Sequence, residues 1–549
     1  MTGDQKGNRT GDEPGDAAGD VAGDVAGDVA GDVAGDVAAG ETGVAAVRLP
    51  RLTGDDEERL TGAELRRLTA RVRAHNLPAE AGRVAMDVAE VVISLAIVAL
   101  YVWGFGAPVR ELLESDATRF GLGPGLIQAM VLALAVVAGA VVALRVGPAG
   151  LPAAGVRWWV PTPADRAGLA SPSVVRTVLA GIGAGLVAGG VPAAFVGVGL
   201  TGILADAAFG GALGLAVVAG AGALQVTGAA SGDRAGRMLV PLLAAVPVAG
   251  LCLALWAPGW AAWSVPLLVL AAVVVTGGAA LAVWATRLDR LRAGELRARA
   301  SAAMQASAAL LSLDSGGMSR ALLSGGPTAS RVLPWLPGTA RGPAGALLAA
   351  DATLLARSPA ALAGLVALAA TGAVAVQVPV LADGIGLWAV LACVGYAGAL
   401  AGAVGPRAAG ENPRLDSLVP LGARATRAVR TAWPVLTAAV VLLAVAGTVG
   451  GGQWLAMAAP AAVVLGAAAV RTAYRGPVPW DVPMIATPAG GVPTGLVLHQ
   501  FKGLDLAVLG TLPLAWVAVS GVVTPLMVAV QVLFAAGAVL WAAHVRRTA

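Results

Sequence analysis

Six uncharged polar side chains interrupt otherwise apolar stretches of the sequence, and their chemistry is hydrogen bonding. They are Gln128, Gln225, Thr371, Gln377, Tyr396 and Gln531. Inside hydrocarbon an amide or a hydroxyl group has no water to bond, so each side chain is expected to point towards another helix. There it could line a path for a polar substrate or join two helices by a hydrogen bond, and the sequence leaves both interpretations open.

Asp206 is the carboxyl group that comes closest to this set. It lies in an apolar run, near the end that is expected to face outwards. A carboxyl group inside a membrane span is costly, and function is the usual reason that one is retained there. Asp206 is therefore included among the possible pathway residues, with an interfacial charge as the alternative.

The sequence offers no motif for hydrolysis, redox chemistry or metal binding. A Walker A loop needs a lysine followed by serine or threonine, whereas both lysines, Lys6 and Lys502, precede glycine. The three histidines are isolated from one another, and Cys252 and Cys393 lie in separate apolar runs as packing residues. We therefore predict no enzymatic activity, no cofactor, no metal ion and no nucleic-acid partner.

The composition indicates the surroundings in which these residues act. The 549 residues are 57% hydrophobic and 13% charged, with a mean hydropathy of +0.78. A soluble domain carries about 25% charged residues to cover its surface. The composition therefore excludes a soluble protein and predicts one that lies in the lipid bilayer.

Apolar runs of about 20 residues, the length that crosses hydrocarbon as a helix, predict an all-α protein with about twelve transmembrane helices in two six-helix halves. The predicted spans are 86–106, 123–144, 177–200, 202–226, 238–257, 263–286, 359–380, 385–404, 433–450, 454–470, 506–522 and 524–545. In the third span, small residues recur at every fourth position from Gly181 to Gly197, which favours close contact with another helix.

Arginine placement predicts the orientation. With the N-terminus inside, the outer loops hold only Arg110 and Arg119, and the other 30 basic residues after residue 61 lie on the cytoplasmic side. This is the asymmetry that the positive-inside rule describes. Both termini are accordingly expected in the cytoplasm, and the protein in a bacterial cytoplasmic membrane.

The chain divides by composition into four segments. Residues 1–61 carry 14 acidic and 5 basic residues and include five GDVA repeats, so we predict a disordered acidic tail. Residues 62–286 hold a surface helix and the first six spans, 287–358 a central cytoplasmic region, and 359–549 the second six spans.

The two halves share a layout. Each begins with a predicted surface helix, 62–77 and 345–357, and each has a long basic loop between its second and third spans, 145–176 and 405–432. This arrangement predicts an architectural repeat.

Three segments, WWVPTPADRAGL, SLDSGGMSRALL and IATPAGGVPTGL, resemble a family of uncharacterised membrane proteins from high-GC bacterial genomes that look like ABC-exporter permeases. The resemblance implies a short coupling helix in the loop after the second span, which would contact a separate ATP-binding subunit. It assigns that contact to Trp158, Trp159, Asp165 and Arg166, with Asn412–Arg430 as the counterpart in the second half. The chain departs from the family in size, because most such permeases have one six-span half.

The resulting functional hypothesis is a transport permease of an ATP-driven exporter, with an unknown substrate. Two alternatives remain open from the sequence. One is an ion-coupled secondary transporter of the major-facilitator type, which also has 6+6 spans and a central loop. The other is a membrane scaffold that transports nothing.

Overall fold

A computed structural model gives the fold of one compact unit, residues 59–549. The residues that it describes are 61–76, 100, 124–196, 199–228, 232–256, 266–311, 340–412, 414–449, 452–476, 482, 484–487 and 490–544. Apart from residues 61 and 100, the predicted acidic tail, 1–61, and the predicted first span, 86–106, lie outside these residues and stay predictions.

The described chain is helical apart from one short hairpin. The helices are α1 (Gly62–Asn76), α2 (Pro124–Val146), α3 (Ala153–Trp158), α4 (Arg166–Val196), α5 (Leu200–Thr227), α6 (Gly232–Trp256), α7 (Leu267–Thr286), α8 (Ala293–Leu311), α9 (Gly342–Ala356), α10 (Pro359–Ala375), α11 (Pro379–Ala382), α12 (Gly384–Gly402), α13 (Val404–Glu411), α14 (Arg414–Ser417), α15 (Ala423–Val429), α16 (Ala432–Val449), α17 (Gly452–Ala473), α18 (Thr494–Gly510), α19 (Leu512–Ser520) and α20 (Pro525–Ala543). A 3₁₀ turn (Leu288–Arg290) links α7 to α8. The strands β1 (Met484–Thr487) and β2 (Gly490–Pro493) pair antiparallel, with Met484 opposite Pro493.

The helical membrane class is confirmed. Among the described residues, 8 helices are long and apolar enough to cross a membrane, or up to 10 if each of two bent pairs counts as one span. α6 is reduced to a shorter apolar segment, Pro241–Leu253. It contains Pro241 and Pro247, each of which removes a helical hydrogen bond. The total of twelve and the side of each terminus stay predictions.

Two pairs of helices are bent, and each bend has a proline just after it. α9 meets α10 at 79°, where Pro359 keeps the preceding Ser358 out of the helical conformation. α9 therefore turns away from the direction of the span, as the predicted surface helix requires. α18 bends by 46° into α19 at Thr511, with Pro513 in the first turn of α19. A separate break lies inside α18 at Lys502 and Gly503, where Gly503 has a φ of 100° that favours glycine.

Helix packing follows one plan in two sets of helices, α2 with α4–α7 and α10 with α12 and α16–α20. In the first set α2, α4 and α5 pack against one another and α5 packs against α7; in the second set α12, α16 and α17 do so and α17 packs against α20. The two sets meet where α6 packs against α10. At that boundary Leu126, Met130 and Val374 form a small buried cluster with Leu251.

The tightest helix contact joins α4 to α5. Glycines at four-residue spacing face α5 so closely that an added Cβ would overlap it: on Gly185 and Gly189 it would meet the backbone of Gly210 and Asp206, and on Gly181 the Val218 side chain. The predicted contact face is thereby confirmed from Gly181 to Gly189, and its last member, Gly197, lies outside the described residues.

Gly185→Leu should separate α4 from α5, because its Cβ would overlap the carbonyl oxygen of Gly210. We expect a loss of about 2 kcal/mol or more in stability, measured as a lower thermal unfolding midpoint in detergent. Gly183→Leu is the matched control, since a Cβ on Gly183 meets no atom within 4 Å. Equal effects of the two substitutions would contradict the close-packed arrangement.

Candidate functional site

The first loop, residues 147–165, joins α2 to α4 and exposes one large apolar side chain. Trp158 is 70% exposed at the end of α3, with the guanidinium of Arg157 lying 6.0 Å from its ring centroid. Trp159 points the other way, onto a buried cluster that includes Val156 and Leu291. The two neighbouring tryptophans therefore differ in role, since Trp159 packs within the chain and Trp158 is exposed.

Asp165 holds two helix starts together. One carboxylate oxygen accepts the backbone N–H of Gly62, at the start of α1, and the other accepts that of Gly168, in the first turn of α4. These two hydrogen bonds lower the pKa of the Asp165 carboxyl. Asp165 thereby fixes the surface helix α1 to the beginning of the third span.

Arg166 also bonds within the chain. Its guanidinium donates to the backbone carbonyl of Leu291, just before α8. In the described structure Asp165 and Arg166 therefore brace the loop, while Arg157 and Trp158 are its exposed charged and apolar groups. Sequence reasoning missed Arg157, although an arginine directly before an exposed tryptophan was a signal that could have found it. Contact with another protein at this loop stays a prediction.

The second loop, residues 403–431, joins α12 to α16 and has the same composition at its tip. Leu418 is 79% exposed and Leu415 is 40% exposed. Arg414 and Arg424, on either side of them, are exposed as well. Each loop thus presents a large apolar side chain beside arginine.

A buried ionic cluster anchors this second loop. Arg430 donates to Asp351 of α9 at 2.6 Å and to Asp416 of α14 at 2.8 Å. The Tyr474 hydroxyl, beyond the end of α17, donates to the other oxygen of Asp416 at 2.6 Å. Arg427 lies over the Tyr474 ring, 4.6 Å from its centroid. These residues tie α9, the loop and the fourth span into one assembly.

Burial shifts the protonation of this cluster. Desolvation raises the pKa of Asp351 to about 6 against the lowering effect of Arg430, and Asp416 adds a smaller upward effect. Burial and the hydrogen bond to Asp416 likewise raise the pKa of Tyr474. Sequence reasoning missed Asp351, although a carboxyl in the buried stripe of α9, among Leu347, Ala352 and Leu355, was a visible signal.

The two surface helices occupy corresponding positions. α1 packs against the start of α4, and α9 packs against α15 and the start of α16. In the second set the Trp433 indole also donates to the Leu348 carbonyl at 2.9 Å. Both loops are therefore braced between a surface helix and the third span of their set.

Gln128, Asp206 and Gln225 are engaged with protein groups. Gln128 donates to Asp206 at 2.6 Å between α2 and α5, and both side chains are buried. Gln225 accepts the Ala149 N–H at 3.3 Å. These bonds join helices and loops, and a pathway role for the three side chains stays a prediction.

Tyr396, Gln377 and Gln531 are also hydrogen-bonded. Tyr396 and Thr472 share a hydrogen bond of 2.6 Å between α12 and α17, and Gln377 donates to the Ala373 carbonyl of its own helix at 2.9 Å. Gln531 of α20 is fully buried. Among the described residues, no group of three or more His, Cys, Asp or Glu side chains is placed to hold a metal ion.

Comparison with known protein families matches residues 121–483 to a family of unknown function, DUF6297. The matched range contains both loops and the contact between α4 and α5. No curated protein and no solved structure matches the chain.

Gln531→Leu should destabilise the break between α18 and α19. The Gln531 amide donates to the Gly510 carbonyl at 2.8 Å and accepts the Leu514 N–H at 3.2 Å, so leucine would leave both backbone groups unpaired in the core. We expect the free energy of unfolding to fall by about 1–3 kcal/mol, measured as a lower thermal unfolding midpoint. Gln453→Leu, at an exposed position of α17, is the control, and an equal effect there would count against this role.

Proposed function

We propose that this chain, which belongs to the DUF6297 family, is the membrane subunit of an ATP-driven exporter whose ATPase is a separate polypeptide. In this proposal the chain spans a bacterial cytoplasmic membrane twelve times, as two halves with both termini inside. The two braced loops receive the movement of the ATPase, and a path between the halves opens alternately to each side.

The observation that carries the proposal is the shared construction of the two loops. Each exposes a large apolar side chain, Trp158 or Leu418, has an exposed arginine in the same loop, and is tied to a surface helix. Tryptophan and arginine are enriched among the residues that contribute most to protein–protein binding. Two such surfaces in one chain suit two copies of one partner.

The internal contacts suit these loops to force transmission. Asp165 lies directly before α4, and Arg430 lies directly before α16. A displacement of either loop would therefore be transmitted to the start of α4 or α16 through hydrogen bonds and packed side chains rather than through a flexible linker. The buried polar groups at Gln128 and Asp206 are where we place the substrate path.

Trp158→Ala and Leu418→Ala test this function. A separately encoded ATPase should co-purify with the wild-type chain in detergent or nanodiscs. Its rate of ATP hydrolysis should change when the chain is present. We expect each substitution to reduce that response about tenfold or more, because a buried aromatic or aliphatic anchor is lost.

Trp516→Ala is the matched control for the same experiment, since Trp516 is 64% exposed on the span α19, away from both loops. It should leave the ATPase response unchanged. The proposal would be abandoned if no ATPase associates, or if Trp516→Ala reduces the response as much as Trp158→Ala.

One observation favours ion-coupled transport as a second candidate. The carboxyl group of Asp206 is buried in α5 with the neutral amide of Gln128 as its hydrogen-bond partner. A carboxyl group in such a place commonly binds a proton or cation during transport.

Collapse of the proton gradient separates the two candidates in proteoliposomes. Ion coupling predicts that this collapse at constant ATP abolishes transport, as does Asp206→Asn; a loss in Asp206→Asn alone does not discriminate, because we also place the export path at Asp206. ATP-driven export predicts that collapse of the gradient leaves transport intact. Asp289→Asn, at an exposed carboxyl outside the spans, is the control and should transport normally.

A further inference from the structure

The surface helix α9 carries a carboxylate on the face that it buries. Its buried residues, Leu347, Asp351, Ala352 and Leu355, form one stripe at helical spacing. Asp351 is 2% exposed, so docking of α9 removes its carboxyl group from water. An aliphatic residue at that position would pack without this cost.

The partners of Asp351 leave its charge incompletely compensated. One oxygen accepts from Arg430, but the other is buried with no hydrogen-bond partner. Arg430 is shared with Asp416, so one guanidinium serves two carboxylates. Gly405 of α13 packs so closely against the Asp351 carboxyl that a Cβ there would overlap it.

The other charged groups near this junction lie on each element packed against α9. Helix α13 carries Arg407 and Glu411, and α15 carries Arg427, which stacks on Tyr474 and donates to the His544 carbonyl. Tyr474 stays neutral near neutral pH, because its pKa is raised. The charges with a described interaction with Asp351 are therefore those of Arg430 and Asp416.

We propose that the docking of α9 onto the second loop is a proton-operated latch, in which Asp351 takes up a proton when the helix docks and loses it when the helix is released. The proton comes from water and sits on the carboxyl oxygen that has no partner. Acidification of the cytoplasm then closes the latch, and neutral or alkaline conditions loosen it.

The direction follows from linkage. The Asp351 carboxyl has a pKa of about 6 when docked, against 3.8 when it is free in water. The docked state therefore binds the proton more tightly, and docking strengthens as the pH falls through 6. Between about pH 7.5 and about pH 5 the docking equilibrium should change about tenfold.

The first set of spans lacks this device at the corresponding place. The carboxylate of Asp165 bonds two backbone N–H groups, which lower its pKa. Asp165 thus stays ionised across the same pH range, and the attachment of α1 should not respond. The latch makes the two loops unequal, with one fixed and one regulated by protons.

Hydrogen–deuterium exchange of the full chain in nanodiscs tests the latch without any ATPase. We expect the protection factors of α9 amides, corrected for the intrinsic effect of pH on exchange, to rise about tenfold from about pH 7.5 to about pH 5. Those of α1 should stay constant. In Asp351→Asn, which keeps the shape of the side chain but does not titrate, α9 should be equally protected at both pH values.

Asp416→Asn provides a second test that keeps Asp351. Removing the like charge and leaving Arg430 to Asp351 alone should move the midpoint of the α9 response to lower pH. Asp289→Asn should behave as wild type. Protection of α9 that is constant or falls in acid, or a response that survives in Asp351→Asn, would overturn the latch. Because the readout is the backbone of this chain, its failure is distinct from failure of the exporter proposal.

Discussion

Hydrocarbon supplies no hydrogen bonds, so a polar group placed inside a span has to find its partner in the protein. The structure meets this constraint locally. Where α18 gives way to α19, the side chain of Gln531 bonds the carbonyl and the N–H that the bend releases. Where α2 and α5 meet, Gln128 bonds Asp206. These bonds favour particular helix faces in contact, and the positions of the two loops follow from that packing.

Sequence reasoning was most successful where the determining forces are local. Unbroken apolar runs predicted the spans, and the described helices begin and end within a few residues of most predicted boundaries. The surface helix at residue 62 has a reciprocal cap, in which Thr61 and Glu64 bond each other's backbone N–H groups. Such signals lie within one turn of the chain and need no knowledge of the fold.

The sequence predicted where the two loops lie along the chain, but not which residues their charged side chains contact. The contact of Asp165 and Arg166 with an outside partner stays a prediction, and the sequence did not predict their bonds to Gly62 and Leu291, residues far away in sequence. Arg430 and Asp351 are 79 positions apart, so their pairing depends on how α9 folds back. Composition reveals that a carboxyl or guanidinium is present, but not which of many distant groups will neutralise it. The bend at Ser358 and the break at Gly503 show the same limit for backbone geometry.

The glycine contact between α4 and α5 has a mechanical consequence. Two helices whose backbones touch cannot slide or tilt against each other without steric overlap, so they behave as one stiff lever. With 31 residues, α4 is about 45 Å long, enough to cross a bilayer. Asp165 lies at one end of this lever, and Gly189 contacts the backbone of Asp206 near the other. A displacement of the first loop would therefore move α4 and α5 together and shift the position of the buried Asp206 carboxyl.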